Sequence, residues 1–242
     1  MMLKIPTSYL DRRIGFKIPQ KLSEDLAEIV GILYGDGHMA RHQKDYISEI
    51  VGHLNLDYDY LTGHVSLLFY KLFNILPSTY LKKNNAISIR FRSKALNYYL
   101  ESLGIPPRKK GNLEIPAWIL ADDQFMRSFI RGLIDTDGSL VLLNRKQKKH
   151  LFYPRISLAL NDKDVIAGVA GWLDDKGLNV CTMKDNRKYI YKNETRWPTG
   201  YRLNVNGRKQ LEKWMDLIGF RNKKHLDKYI KYKSGLAGTS KS

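Results

Sequence analysis

Two aspartates at matched places in a repeated stretch are the residues best suited to chemistry. The first stretch is Ala27 to Gly37, AEIVGILYGDG, and the second is Ser128 to Gly138, SFIRGLIDTDG; each ends in Asp-Gly, Asp36-Gly37 and Asp137-Gly138. Asp-Gly after an apolar helix is commonly a turn, because Gly takes up the left-handed conformation that other residues avoid. Two copies at a constant offset are harder to explain that way. A carboxylate at a helix C-terminus faces the negative end of the dipole, which disfavours it by about 0.3–1 kcal/mol. Bringing two such carboxylates together also raises the pKa of each. A cation beside them removes both penalties, so the pair reads as a metal site.

The elements that must position these acids are legible in the same stretches. Small residues recur every fourth position, Ala27, Gly31 and Gly35 in one copy and Ser128, Gly132 and Thr136 in the other. On a helix they line up as a groove without bulk. Leu26, Ile29, Val30 and Leu33, then Ile130, Leu133 and Ile134, supply core-helix periodicity around it. Two helices packed along these grooves carry their terminal acids toward one another.

The nine residues from Ile29 to Gly37 and from Ile130 to Gly138 resemble the signature helices of the LAGLIDADG homing endonucleases, in the single-chain form with two motifs. In that family the eighth motif residue is the metal-binding catalytic acid, which corresponds to Asp36 and Asp137. The sixth is often acidic without being the ligand; Asp135 fits and Tyr34 departs, and the departure leaves the eighth position intact in both copies. The resemblance spans roughly residues 20–233.

Composition points the same way. The chain has 242 residues, Lys+Arg 41 against Asp+Glu 24, and a net charge of +17, which implies a polyanionic partner, nucleic acid before membrane. No apolar run approaches the ~20 residues of a membrane span, and the start, MMLKIP, lacks the form of a secretory signal. The expected location is intracellular (cytoplasm, nucleoid or organelle matrix) and not secreted. The one cysteine, Cys181, excludes an internal disulfide and reads as a small strand hydrophobe. The six histidines show neither zinc-finger spacing nor Cys partners, and no Gly-rich phosphate loop appears.

In order along the chain, residues 1–22 read as an irregular basic arm, and Ser23 caps the first signature helix. Residues 38–56 read as a hairpin, and Asp57 as the cap of a helix from Tyr58 to Phe73. Residues 80–92 form a hairpin around Lys83-Asn84-Asn85, in whose second strand Ile87, Ile89 and Phe91 alternate with Ser88, Arg90 and Arg92. Ser93 starts a helix closed by Gly104. The stretch 105–122 is the linker between a first half, 23–104, and a second, 123–233, and Asp122 or Asp123 caps the second signature helix. The second half repeats the order: a hairpin over 139–160, a helix from Asp162 to Asp175, strands across 179–192 and 200–206 joined by a loop at Glu194 to Pro198, and a helix from Arg208 to Ile218. The Gly/Ser-rich end, 234–242, reads as a disordered tail.

The fold class is therefore α+β: two pseudo-symmetric αββαββα halves packed on paired signature helices, their curved antiparallel sheets forming a DNA-binding saddle. A two-stranded ribbon fits the major groove. The outward strand positions expected to meet DNA are Arg41, Arg90, Arg92, Lys184, Arg187, Lys188, Tyr189, Tyr191, Lys192, Arg202, Asn204 and Asn206. The plain alternative for each is a solvated strand residue.

The resemblance implies a monomeric, site-specific endonuclease that cuts both strands of a long asymmetric duplex and leaves short 3′ overhangs. It implies Asp36 and Asp137 as metal ligands, helped by the carbonyls of Gly35 and Thr136. Two or more Mg²⁺ ions are expected, with Mn²⁺ able to substitute and Ca²⁺ binding without cleavage. A basic residue beside each cleavage site corresponds to Lys109 or Lys110 in one loop and Lys223 or Lys224 in the other. A water-ordering polar residue corresponds to Asn55 and Asn161, with His53 an alternative. Two other readings share the scaffold: an RNA maturase acting on its own intron, and a DNA-binding regulator that does not cut. An intein origin is disfavoured by the Met start and the absence of a terminal His-Asn pair.

Overall fold

A computed structural model describes residues 5–42, 45–107, 113–144, 152–185, 189–191, 194–196 and 200–239. They form two compact units.

The first unit begins with a helix absent from the sequence reading, α1 (Tyr9–Arg13). Ser8 and Asp11 close a capping box on it: the Ser8 hydroxyl accepts the Asp11 N–H, and the Asp11 carboxylate accepts the Ser8 N–H. Asp11 is buried and also accepts the Ser93 hydroxyl at 2.6 Å and the Ala95 N–H at 3.2 Å. The arm is thereby fastened to the N-terminus of α5 (Lys94–Ser102), where a negative charge is favoured.

The first signature helix is α2 (Glu24–Gly35), whose N-cap hydroxyl, on Ser23, accepts the Leu26 N–H. Strands β1 (Gly37–His42) and β2 (Asp45–His53) follow. The next helix starts earlier than Asp57 suggests. His53 is the N-cap of α3 (Leu54–Asp59), and the Asp57 carboxylate reaches back to the His53 N–H at 2.9 Å. The helix then passes through a π-helical turn, Tyr60–Val65, into α4 (Ser66–Phe73). Strands β3 (Ser78–Lys82) and β4 (Ala86–Arg92) meet at a turn in which Asn84 and Asn85 both take positive φ, a conformation asparagine tolerates.

The four strands form an antiparallel sheet in the order β1-β2-β4-β3. Its helix-facing side buries Ile50, Ile87, Ile89 and Phe91, and the Phe91 ring stacks on Phe69 at 4.0 Å. After α5 the chain turns at Gly104, with φ of 95°. A short α6 (Ala117–Leu120) and the second signature helix, α7 (Asp123–Thr136), complete this unit, together with residues 221–223. Asp122 caps α7, its carboxylate accepting the Gln124 and Phe125 N–H groups.

The second unit holds β5 (Ser139–Asn144), β6 (Phe152–Leu160), α8 (Lys163–Asp175), β7 (Val180–Asp185), β8 (Tyr189–Tyr191), β9 (Glu194–Arg196), β10 (Gly200–Asn206), α9 (Arg208–Leu217) and α10 (Lys223–Thr239). Its sheet has the order β5-β6-β10-β7, the same plan as the first. Helices α8 and α9 cover the face that buries Leu140, Ile156, Leu158, Leu203 and Val205.

Two readings of this half are corrected. The segment from Glu194, expected as a loop, contributes β9 to a two-stranded ribbon with β8. That ribbon is inserted between β7 and β10 and lengthens the second half relative to the first. The tail expected to be disordered from residue 234 instead continues α10 to Thr239. There Gly235 lies against Phe152 so closely that a Cβ would come within 3.3 Å of the ring.

Candidate metal centre and nucleic-acid interface

The signature helices pack along their small residues. Ala27 and Ser128 have no exposed surface, and the two central glycines bring backbone against backbone. A Cβ on Gly31 would stand 2.0 Å from the Phe129 carbonyl oxygen, and one on Gly132 would stand 2.3 Å from that of Glu28. No side chain fits at either position, which is why glycine recurs there.

Asp36 is the C-cap of α2, its N–H bonded to the Ile32 carbonyl at 3.1 Å. Its own carbonyl accepts the Val51 N–H at 3.2 Å, so helix end and strand β2 fix it from both sides. Gly37 makes the corner possible: a Cβ there would lie 2.4 Å from Leu33 Cα. Asp36 is half-buried. Asp137 is exposed and follows the last turn of α7, where the Thr136 hydroxyl donates to the Gly132 and Leu133 carbonyls. Each acid thus stands at a helix C-terminus, as expected.

The donors on offer at these corners are carboxylate and carbonyl oxygens, including those of Gly35 and Thr136. Among the described residues no group of three His, Cys, Asp or Glu gathers into a metal cage. Few hard oxygen ligands fit Mg²⁺ or Mn²⁺, ions that keep several waters and share them with phosphate oxygens.

The sixth motif residues do matched work with different chemistry. The Tyr34 hydroxyl donates to the Gly104 carbonyl at 3.4 Å, just past α5. Asp135, fully buried, accepts the Arg221 N–H at 2.8 Å, just past α9, and its carbonyl accepts the Asn222 amide at 2.9 Å. Both therefore hold the chain that leaves the last helix of their own half. Burial pushes the Asp135 carboxyl up to about 7 against the opposing backbone hydrogen bonds.

Beside it lies an ionic cluster absent from the sequence reading. Glu28, without exposed surface, meets His64 Nε2 at 2.6 Å, Arg131 Nη2 at 2.6 Å and Arg221 Nε at 3.3 Å. A Glu inside an otherwise apolar run and an Arg inside the second motif were the available signals. His64, from the helical segment after β2, thus serves to partner a buried carboxylate.

Residues paired directly across strands share a face. In the first sheet Arg90 pairs with Glu49 and Arg92 with Ile47, on the side away from the helices. Arg92 is exposed, whereas Arg90 bonds Glu49 at 3.1 Å and lies over the Tyr80 ring at 4.6 Å. Burial works to raise the Glu49 pKa, but hydrogen bonds from Lys82 and Arg90 bring it below the ordinary carboxylate value. Arg41 is a correction to the outward set. It shares the helix-facing side with Met39, bonds Glu101 at 2.6 Å and lies over the Tyr98 ring at 4.3 Å.

In the second sheet Arg202, Asn204 and Asn206 share the side away from the helices, and Asn206 accepts from Arg155 Nε at 2.7 Å. Asn204 is buried there. Lys184 pairs with Tyr201 on the opposite side, a second correction to the outward set, and is exposed at the sheet edge. Tyr189 and Tyr191 lie on β8. Arg187, Lys188, Lys192, Lys109 and Lys110 fall outside the described residues.

Lys223 and Lys224 open α10, the positive end of its dipole, where lysine is disfavoured unless an anion is near. Asn161 follows β6 and is exposed, as a strand-end residue. Asn55 does not end a strand: β2 stops at His53, and Asn55 lies in the first turn of α3, donating its N–H to His53 Nδ1.

Comparison with known proteins agrees with this fold. Residues 124–219 match the family model described as the LAGLIDADG-like domain. The fold is similar to that of mesophilic variants of the homing endonuclease I-DmoI, with a TM-score of 0.56 and 18% identity over 82% of this chain and 97% of that one. It is also similar to a point mutant of I-SmaMI, with a TM-score of 0.58 and 13% identity over 91% of this chain and 93% of that one. By sequence, an uncharacterized protein of Methanocaldococcus jannaschii is 26% identical over 71% of this chain and 62% of its own length. The tRNA-splicing ligase RtcB of Pyrococcus abyssi is 24% identical over 89% of this chain but only 23% of the ligase. The chain thus spans less than two thirds of these relatives.

Residues 124–219 thus carry a LAGLIDADG-like domain, and the chain, with motif helices packed through paired glycines and each followed by an acid and a four-stranded sheet, has a fold similar to those of I-DmoI and I-SmaMI.

Proposed function

We propose that the chain is a divalent-metal-dependent DNA endonuclease of the homing type, acting as a monomer on a long asymmetric duplex and cutting both strands. The observation that carries this reading is the pair of acids, Asp36 and Asp137, each at the C-terminus of a helix packed backbone-to-backbone on the other. Pure DNA binding has no use for carboxylates set against phosphates. Solved structures of I-DmoI with DNA and Ca and with DNA and Mn support the same class of partner and ion.

Asp36 and Asp137 would hold the ions, with Mg²⁺ the expected species and Mn²⁺ a substitute. A bound divalent ion would supply charge stabilisation on the phosphoryl oxygens and a water of lowered pKa. The chain's own part is positional: the Gly37 corner and the Val51 hydrogen bond hold Asp36, and the N-terminus of α10 carries Lys223 and Lys224, whose charge an anion there would balance. Cutting each strand once follows from one acid per half, and the short 3′ overhangs are what the resemblance to the family implies. Its place of action is wherever its DNA lies, in cytoplasm, nucleoid or organelle matrix.

The test is cleavage of DNA built from the uninterrupted sequence flanking this reading frame, with Mg²⁺ or Ca²⁺. Mg²⁺-dependent double-strand cuts at one position are expected. Asp36→Asn with Asp137→Asn should abolish them, by at least about 10³-fold, while DNA affinity persists. Tight binding with no cut would favour the regulator, and restored splicing of a host intron without DNA cleavage would favour the maturase.

A further inference from the structure

Two buried aspartates hold chain segments that leave, by sequence, the last helix of the opposite half. Asp57, from the first half, accepts the Asn222 side-chain amide at Oδ1, 2.8 Å, while its Oδ2 accepts the His53 N–H. Asn222 lies beyond the last helix of the second half, has no exposed surface, and donates as well to the Asp135 carbonyl. The next residue is Lys223. Asp162 is the repeat counterpart of Asp57, 105 residues further on, and stands at the start of the helix that follows the first hairpin of the second half. It accepts the Leu113 main-chain N–H at 2.8 Å, in the linker that leaves the first half.

Neither arrangement is an ordinary helix cap. Asp162 stands at the N-cap of α8 yet makes no side-chain capping hydrogen bond. Asp57 lies one turn inside α3, and Gly52 leaves room for it: a Cβ on Gly52 would come 2.8 Å from Asp57 Cβ. The compact units record the same exchange, for residues 221–223 belong to the first unit and 113–115 to the second. A carboxylate with almost no exposed surface is costly unless fully hydrogen-bonded, so two such tethers at matched positions are specific placements.

We propose that Asp57 and Asp162 are positioning residues, each fixing the segment that leaves the last helix of the opposite half, so that placement of the Lys223-Lys224 pair depends on Asp57 through Asn222. The consequence for cleavage rests on the endonuclease reading; the tether itself does not. Misplacing a catalytic group by about 1 Å can cost about 10²-fold, and a tether on one loop affects one strand.

The experiment uses the full chain and has two readouts. In strand-resolved single-turnover cleavage, Asp57→Ala and Asn222→Ala slow the same strand by roughly 10–100-fold, and the double variant is no slower than either. Asp162→Ala slows the other strand. Asp57→Asn, which keeps a carbonyl acceptor, shows a smaller loss on the first strand and serves where the alanine variant does not fold. In amide hydrogen exchange, Asp57→Ala speeds residues 221–224, and Asp162→Ala speeds Leu113. Equal slowing of both strands, unchanged rates, or unchanged exchange at these segments would overturn the proposal. A wild-type chain that cuts no DNA would overturn the endonuclease reading alone, and exchange would still decide the tether.

Discussion

Glu28 and Asp135 are neighbouring buried acids with opposite titration behaviour. Burial works to raise the pKa of Glu28, but hydrogen bonds from His64 and Arg131 outweigh it and hold the carboxyl below its ordinary 4.5. Its contribution to stability is present above that ordinary value and is lost as pH falls through the lowered one. Asp135 is raised to about 7, so the folded state binds its proton more tightly than the unfolded chain does. Between the ordinary 3.8 and about 7, stability therefore falls as pH rises. We expect the melting temperature to drop from pH 5 to pH 8 and Asp135→Asn to flatten that dependence, measured by calorimetry across the range. Asp36 and Asp137 were legible as candidates at this scale because a family resemblance and a dipole argument met on them. Glu28 was not, because the apolar periodicity around it gives a charged residue no reason to be inside. Only the facing of Arg131, His64 and Arg221 supplies one.

At the scale of elements, glycines separate close approach from mere tolerance. Gly31 sits where a Cβ would collide with the Phe129 backbone, whereas Gly171, in α8, has nothing within 4 Å of a Cβ. Gly31→Ala must push the signature helices apart and should cost about 3 kcal/mol, the upper end for overpacking. Gly171→Ala should stabilise by up to about 1 kcal/mol, from helix propensity alone. Urea unfolding of both variants checks the contrast. The small-residue spacing made this helix pair readable. The start of α3 is earlier than the sequence suggests because the His53 ring accepts the Asn55 N–H while the Asp57 carboxylate reaches back to the His53 N–H, and Asp57 alone looks like an N-cap. The missed α1 was avoidable: Ser8 and Asp11 are spaced as a capping box. The helical tail was not, since Phe152, against which Gly235 packs, is far away in sequence.

For the whole molecule the dominant fact is charge. At +17 the chain should bind DNA with a steep salt dependence; contact with about 8 phosphates gives a slope of log K on log salt near −7. Arg92→Ala should reduce that slope by about 1, as expected for one phosphate contact. Arg41→Ala should leave the slope unchanged and lower stability instead, because its guanidinium is engaged by Glu101 and Tyr98. Binding titrations at several salt concentrations, with melts alongside, distinguish the two. The repeat made the order of elements legible across nearly the whole chain. Which strand face each cation occupies was less so, because a register is set by pairing partners, as Arg41 opposite Tyr46 illustrates.

The paired glycines also bear on how such a chain can be cut up and inherited. A gene fragment ending before α7 would yield a polypeptide whose α2 carries a bare, backbone-lined groove at Gly31. Such a fragment would seek a substitute helix, and its own second copy is the nearest available. Complementation between separately expressed fragments, or shuffling of halves between genes, should then succeed only where the incoming helix brings glycine to that crossing.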